Sequence, residues 1–223
     1  MSLPVPVPLA QTSYFDAIFV GGGLVSWILL LLSAAVLAWV LILLFACRQH
    51  TLCPRELYNG LVDRLGDGDP GGARRFLDEE PSTLARMVEA GLAAQLDGEP
   101  PDRVEAAVEA AGADEHARWT WRIGYIALAA AVAPMLGLLG TVVGMIDAFN
   151  TLGLSERITQ QSELGRAISK ALITTHMGLV IAIPALVAHA LLRHRLGLVM
   201  LQCATRAKVL MGLFRQSRAG RVN

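Results

Sequence analysis

Charge is missing from three long stretches of this chain. Residues 21–47 and 123–146 contain no Asp, Glu, Lys, Arg or His, and in 171–192 the only such residues are His176 and His189. About 20 mostly apolar residues cross the roughly 30 Å of hydrocarbon in a bilayer. The missing charge therefore excludes an ordinary soluble domain and predicts three membrane spans. Backbone in lipid must satisfy its own hydrogen bonds, so each span is expected to be a helix. The composition agrees: 54% hydrophobic and 17% charged, against about 45–50% and 25% in soluble proteins.

Lys and Arg are absent from the first 47 residues. A cleavable signal peptide opens on a basic segment and carries an apolar core of about 7–15 residues, so the first run is expected to be a resident span. All 19 basic residues lie at or after Arg48, nine of them in 48–122 and seven after Leu192. Only Arg157, Arg166 and Lys170 lie between the second and third spans. Basic residues mark the cytoplasmic side, which puts the N-terminus outside and the C-terminus in the cytoplasm. The formal net charge of zero argues against a nucleic-acid partner. Cysteine is scarce: Cys47, Cys53 and Cys203 fit no zinc or redox spacing and read as small buried apolar residues. No Ser-His-Asp arrangement, metal cluster or phosphate loop is present, so neither an enzyme nor a metal or organic cofactor is expected.

The chain is therefore expected to be all-α. Residues 1–23 read as a Pro-rich arm followed by a short amphipathic helix from Gln11 to Val20. The first span is 24–47, a soluble helical region 48–122, the second span 123–149, a short polar loop 150–170, the third span 171–192, and a helical continuation with a tail 193–223. In the soluble region, Pro54 opens a helix through Leu65, 66–72 turns, a short helix starts near Arg74 and stops before Pro81, and Ser82 caps the next. Asp97–Pro101 breaks the chain. Asp102 then caps a helix expected to run through Trp119 and Trp121 into the second span. Beyond Arg215 order is not expected.

At about 100° per residue, Ala130, Ala133, Gly137, Thr141, Gly144 and Ala148 form a stripe on the second span, with Gly140 at its edge. Ala171, Thr175, Gly178, Ala182, Ala185 and His189 form another on the third. Small residues at this spacing let helices approach closely in lipid. By spacing alone, ordinary bundle packing and a pore lining are both open.

The order of residues adds more. The run Ala133-Pro134-Met135-Leu136-Gly137-Leu138-Leu139-Gly140-Thr141-Val142-Val143-Gly144-Met145-Ile146 resembles the second-span signature of the MotA/TolQ/ExbB proton-channel family. The run Ala171-Leu172-Ile173-Thr174-Thr175-His176-Met177-Gly178-Leu179-Val180-Ile181-Ala182-Ile183-Pro184 resembles its third-span signature. Thr174-Thr175 and the Gly-Gly-Gly before the first span look most like the ExbB branch. The resemblance implies a homopentameric ring in a bacterial inner membrane, N-terminus periplasmic, its second and third helices extended into the cytoplasm. It implies Thr141 and Thr175 as pore-lining, with Gly137, Gly144, Gly178 and Ala182 beside them. Its implied partners are an ExbD-like single-span protein with a membrane Asp and a TonB-like protein. Protons would drive motion that energises outer-membrane transport.

Four residues keep two readings each. Asp147 is an interface or capping residue, or gates the outer mouth of the pore. Lys170 snorkels to the interface, or pairs with Asp147 or a partner's acid. His176, opposite the small-residue stripe, is a buried neutral histidine against a neighbour, or titrates as a pH sensor. Thr174 shares these interface or titrating roles. No acidic residue follows Glu163, so within the spans Asp147 is the sole carboxylate, and a proton relay, which commonly uses one, would need a partner's. The competing readings are a TolQ-like or motility stator, and a passive membrane scaffold without ion flux.

Overall fold

The computed structural model describes residues 23–152 and 157–220, without the side chains of 151–152, 157–164, 166–167, 170 and 218–220. The N-terminal arm and the amphipathic helix expected at 11–20 lie outside the described residues. Among the described residues seven helices follow one another: α1 (Gly23–Ala46), α2 (Gln49–Leu52), α3 (Arg55–Gly66), α4 (Pro70–Glu79), α5 (Thr83–Leu96), α6 (Pro101–Leu152) and α7 (Arg157–Gly220). No strand occurs among the described residues. Among the described residues three helices, α1, α6 and α7, are long and apolar enough to cross a membrane.

The chain forms two compact units, one of Met1–Ala38 with Ala127–Leu186, the other of Trp39–Ile126 with Val187–Asn223. Each of the three long helices contributes a segment to both.

In the second unit the soluble helices follow their local signals. Leu57, Leu61 and Leu65 repeat every four residues on α3 and are all fully buried. Glu56 in its first turn and Arg64 in its last complement the helix dipole. Asp69 caps α4 by accepting the Gly72 amide at 3.0 Å, and Pro70 supplies a first-turn residue with no amide to satisfy. Ser82 caps α5 by accepting the Ala85 amide at 3.1 Å. Gly68 (φ 66°) and Gly98 (φ 81°) end α3 and α5 in the left-handed conformation, where a side chain would be strained.

This core is built from large side chains. Leu84, Met87, Val88 and Leu92 of α5 are buried, as are Val104 and Val108 of α6 and Leu196, Leu210 and Phe214 of α7. A Cβ at Gly91 would meet Val108 at 2.6 Å and Met211 at 2.8 Å, so α5 lies against both long helices. Polar links fasten the edges. The Ser217 hydroxyl donates to the Leu65 carbonyl at 2.9 Å, and Lys208 pairs with Glu105 and with Glu109 at 2.8 Å. Those two carboxylates hold the Lys208 pKa above its ordinary value.

All three cysteines are free and buried, as their reading as packing residues requires. The Cys203 thiol donates to the Leu52 carbonyl at 3.6 Å, and Arg206 donates to the Cys53 sulfur at 3.3 Å; the neighbouring Cys203 and Arg206 hold the Cys53 thiol below its ordinary value against the effect of burial.

Three expectations need correction. The stretch read as a polar loop, 150–170, is mostly helix: α6 runs to Leu152 and α7 begins at Arg157. Its Gln, Glu, Arg and Ala residues are good helix formers, and polarity alone had suggested a loop. The tail stays helical to Gly220, because Leu210, Met211 and Phe214 are buried and carry the helix past Arg215. Asp102 is not the cap of α6 but sits in its first turn, after Pro101. The predicted continuity through Gly112, Trp119 and Trp121 holds.

Candidate functional site

The first unit contains the two small-residue stripes, and the structure brings them face to face. Along α6, Ala130, Ala133, Gly137, Gly140 and Ala148 are buried. Along α7, Ala171, Thr174, Gly178, Ala182 and Ala185 are buried. The backbones themselves are in contact. A Cβ at Gly137 would lie 2.8 Å from the Thr174 carbonyl oxygen and 3.0 Å from the Thr175 Cα. Reciprocally, a Cβ at Gly178 would lie 2.5 Å from the Ala133 carbonyl oxygen. No side chain fits there without parting the helices.

Two threonines exploit this closeness. Thr174, 2% exposed, has its hydroxyl 2.7 Å from the Ala171 carbonyl and 3.1 Å from the Gly137 carbonyl. A hydroxyl has one proton, so it shares that proton or alternates between a bond within α7 and a bond across to α6. The Thr175 hydroxyl donates to the same Gly137 carbonyl at 3.2 Å. Thus one glycine carbonyl accepts from two hydroxyls of the facing helix. Pro134 on α6 and Pro184 on α7 have no N–H for the carbonyls of Ala130 and Val180.

The stripes differ from expectation by one position each. Thr174 rather than Thr175 occupies the middle of the contact, and Gly140 rather than Thr141 faces it. A Cβ at Gly140 would meet the Thr174 hydroxyl oxygen at 2.6 Å; only glycine leaves that hydroxyl its space. Thr141 and Thr175 sit at the half-buried margin, and Thr141 donates back to the Leu138 carbonyl at 2.6 Å. Adjacent positions on a helix both flank a seam, and the facing residue decides which one enters it.

The other candidates scatter. Gly144 is half-buried at the margin. Asp147 is exposed on α6, next to buried Ala148. The Lys170 side chain lies outside the described residues. His176 is exposed and away from the seam, so its own chain does not supply the burial expected of it. Sequence reasoning missed Ser26, on α1. It is 1% exposed, and its hydroxyl has no hydrogen-bond partner among the described residues. It is one of two serines, with Ser33, in a 24-residue apolar run, and nothing in the sequence tells them apart.

Large apolar side chains cover the remaining surface of this unit. Met135, Leu138, Ile146 and Phe149 on α6 and Leu172, Ile183 and Leu186 on α7 are each more than half exposed. Such faces suit lipid or other membrane helices. Within the described residues no group of His, Cys, Asp or Glu is arranged to hold a metal ion. The arrangement offers hydroxyls and carbonyls, which pass or orient protons but do not carry charge.

Residues 79–204 match the MotA/TolQ/ExbB proton channel family. An ExbB-like biopolymer transport protein of Synechocystis is 33% identical over 195 residues, 85% of this chain and 74% of that protein. ExbB of Salmonella typhimurium is 36% identical over 75 residues, 33% of this chain and 30% of its own length. TolQ of Haemophilus influenzae is 41% identical over 68 residues, 30% of this chain and 29% of its own.

Proposed function

The chain belongs to the MotA/TolQ/ExbB proton channel family, and from that premise we propose that it is the ring subunit of a proton-driven motor in a bacterial inner membrane. The family is one of channel and transport components rather than enzymes. In this reading a homopentamer surrounds a central pore, with the N-terminus periplasmic and the C-terminus cytoplasmic. Thr141 and Thr175 line the pore, with Gly137, Gly144, Gly178 and Ala182 beside them. An ExbD-like single-span partner supplies a membrane aspartate, and a TonB-like protein delivers the work to outer-membrane transport.

The observation that carries this reading is a mismatch within the spans. Two hydroxyls converge on the Gly137 carbonyl, yet the only carboxylate of either span is Asp147, close to one end. A relay through lipid commonly needs a group that takes up and releases the proton. A carboxylate on a partner helix, beside the hydroxyls, completes it. The biopolymer transport proteins among the relatives favour transport as the work performed. The likeness to TolQ favours a second reading, an envelope stator using the same ring with other partners.

Native mass of the purified chain, alone and co-expressed with an ExbD-like single-span protein, tests the ring. A pentamer that gains a dimer of that protein supports the motor. A monomer that ignores it leaves a passive scaffold. In the assembled complex, Thr175→Val is expected to keep the ring mass and abolish proton flux into liposomes; undiminished flux overturns the pore assignment.

A further inference from the structure

Three guanidinium groups and a single carboxylate line one cavity in the second unit. This cavity of about 120 Å³ is walled by Thr51, Arg86, Glu115, Arg118, Trp119 and Arg122, among others. Drug-sized ligands take sites of roughly 300 Å³ or more, so the space suits one small polar group. Glu115 is the resident anion. It is 5% exposed, pairs with Arg86, accepts from Arg118 at 3.1 Å and accepts the Thr83 hydroxyl at 3.3 Å.

One carboxylate does not balance three guanidinium groups. Arg122 meets no carboxylate among the described residues; its guanidinium lies over the Trp119 ring at 4.8 Å. Two positive charges are left in surplus at the cavity wall. Arg86 and Arg118 remain 52% and 61% exposed while they hold Glu115, so their outer N–H groups stay available.

The position of the cavity says which anion reaches it. Arg122 is the last charged residue before the uncharged run 123–146, and Arg48 the first after 21–47. Arg48 lies over Phe45 at 4.6 Å. Trp39 donates its indole N–H to the Arg122 carbonyl at 3.0 Å and meets Tyr125 edge-on, ring centres 6.4 Å apart. Tyr and Arg at the ends of apolar spans mark the headgroup level of a bilayer, and basic pockets there hold anionic headgroups. Arginine matches phosphate geometry through paired N–H groups.

We propose that this cavity binds a phosphate group, with Arg118 and Arg122 as its ligands, and that the membrane supplies it as the headgroup of an anionic phospholipid. Glu115 sets the affinity by competing for Arg86 and Arg118. The site does not depend on whether protons cross the ring.

The test uses the full chain in nanodiscs of phosphatidylcholine, alone or mixed with phosphatidylglycerol, with retained lipid read by native mass spectrometry. Wild type is expected to retain phosphatidylglycerol selectively. Arg122→Gln is expected to weaken retention about tenfold through loss of a charge-assisted pair. Glu115→Gln, which frees two guanidinium groups, is expected to strengthen it, and keeps the proposal falsifiable should Arg122→Gln fail to fold. The double variant Arg193→Gln/Arg195→Gln, at the end of another span, is expected to change little; an equal loss there reduces the effect to general surface charge and overturns the site. If inorganic phosphate stabilises wild type but not Arg122→Gln, while phosphatidylglycerol is not retained, the anion site stands and the membrane as its source falls. No retention and no stabilisation overturns both.

Discussion

The two units of this chain hold helices together by opposite means. In the second unit, contacts are made by side chains: Leu57, Leu61, Leu84, Met87, Leu92 and Phe214 are buried to 2% exposure or less. In the first, α6 and α7 meet with almost no side chain between them. Gly137, Gly140 and Gly178 let one backbone rest on the other. The difference follows from the solvent. In water, each buried leucine contributes about 1.5–3 kcal/mol. Lipid is as apolar as leucine, so helices there gain from close packing and hydrogen bonds instead. A large residue is an asset in one unit and a wedge in the other.

Substitutions break or sharpen that contrast. The largest effect is expected from Gly178→Val. Its Cβ meets the Ala133 carbonyl oxygen, which cannot swing aside, and overpacking costs of about 3 kcal/mol or more should abolish the yield of detergent-stable protein. Near-normal yield and thermal midpoint would show that the seam is loose. Leu57→Ala removes a fully buried side chain from the second unit and should cost about 2–5 kcal/mol. Chemical denaturation followed by circular dichroism reads it, and a negligible shift would deny that α3 belongs to a packed core. Thr174→Val keeps shape but removes the hydroxyl on Gly137, for an expected loss of about 1 kcal/mol. Addition of the Thr175→Val change should lose more than the sum of the two single changes if the two share one acceptor, because each hydroxyl partly covers for the other. Smallest, and of opposite sign, is Gly197→Ala. No atom lies within 4 Å of a Cβ placed there, so helix propensity alone should stabilise α7 by about 0.5–1 kcal/mol. A loss of thermal midpoint there would reveal an unrecognised contact. Carbon added at two glycines of the same helix thus reports two environments.

Much of this arrangement was legible in the residues. Uncharged runs marked the spans, because hydrocarbon excludes charge over a fixed thickness. Ser82 and Gly68 marked helix ends, because caps and left-handed turns demand particular side chains, whereas Gly71 and Gly72, read as part of the turn, lie inside α4. The small-residue stripes marked the seam to within one position. The remaining choice, Thr174 over Thr175 and Gly140 over Thr141, depends on the facing helix and is absent from either stripe alone. Glu115 was illegible for a related reason. It sits in the polar run Asp114-Glu115-His116, and only the approach of α5, carrying Thr83 and Arg86, buries it while its neighbours stay exposed. The helix at 157–170 was missed because its residues are polar. They say that the stretch is hydrated, not that it is irregular.

The bare backbone contact at Gly178 also has a genetic side. Every missense change available to a glycine codon adds at least one carbon, and here the first added atom already meets the Ala133 carbonyl oxygen at 2.5 Å. Most positions in a protein offer a mutating lineage some tolerated neighbour. Gly178 offers none that fits unless the opposite helix changes as well, so variants recovered from the field or the laboratory should reach this position only in pairs.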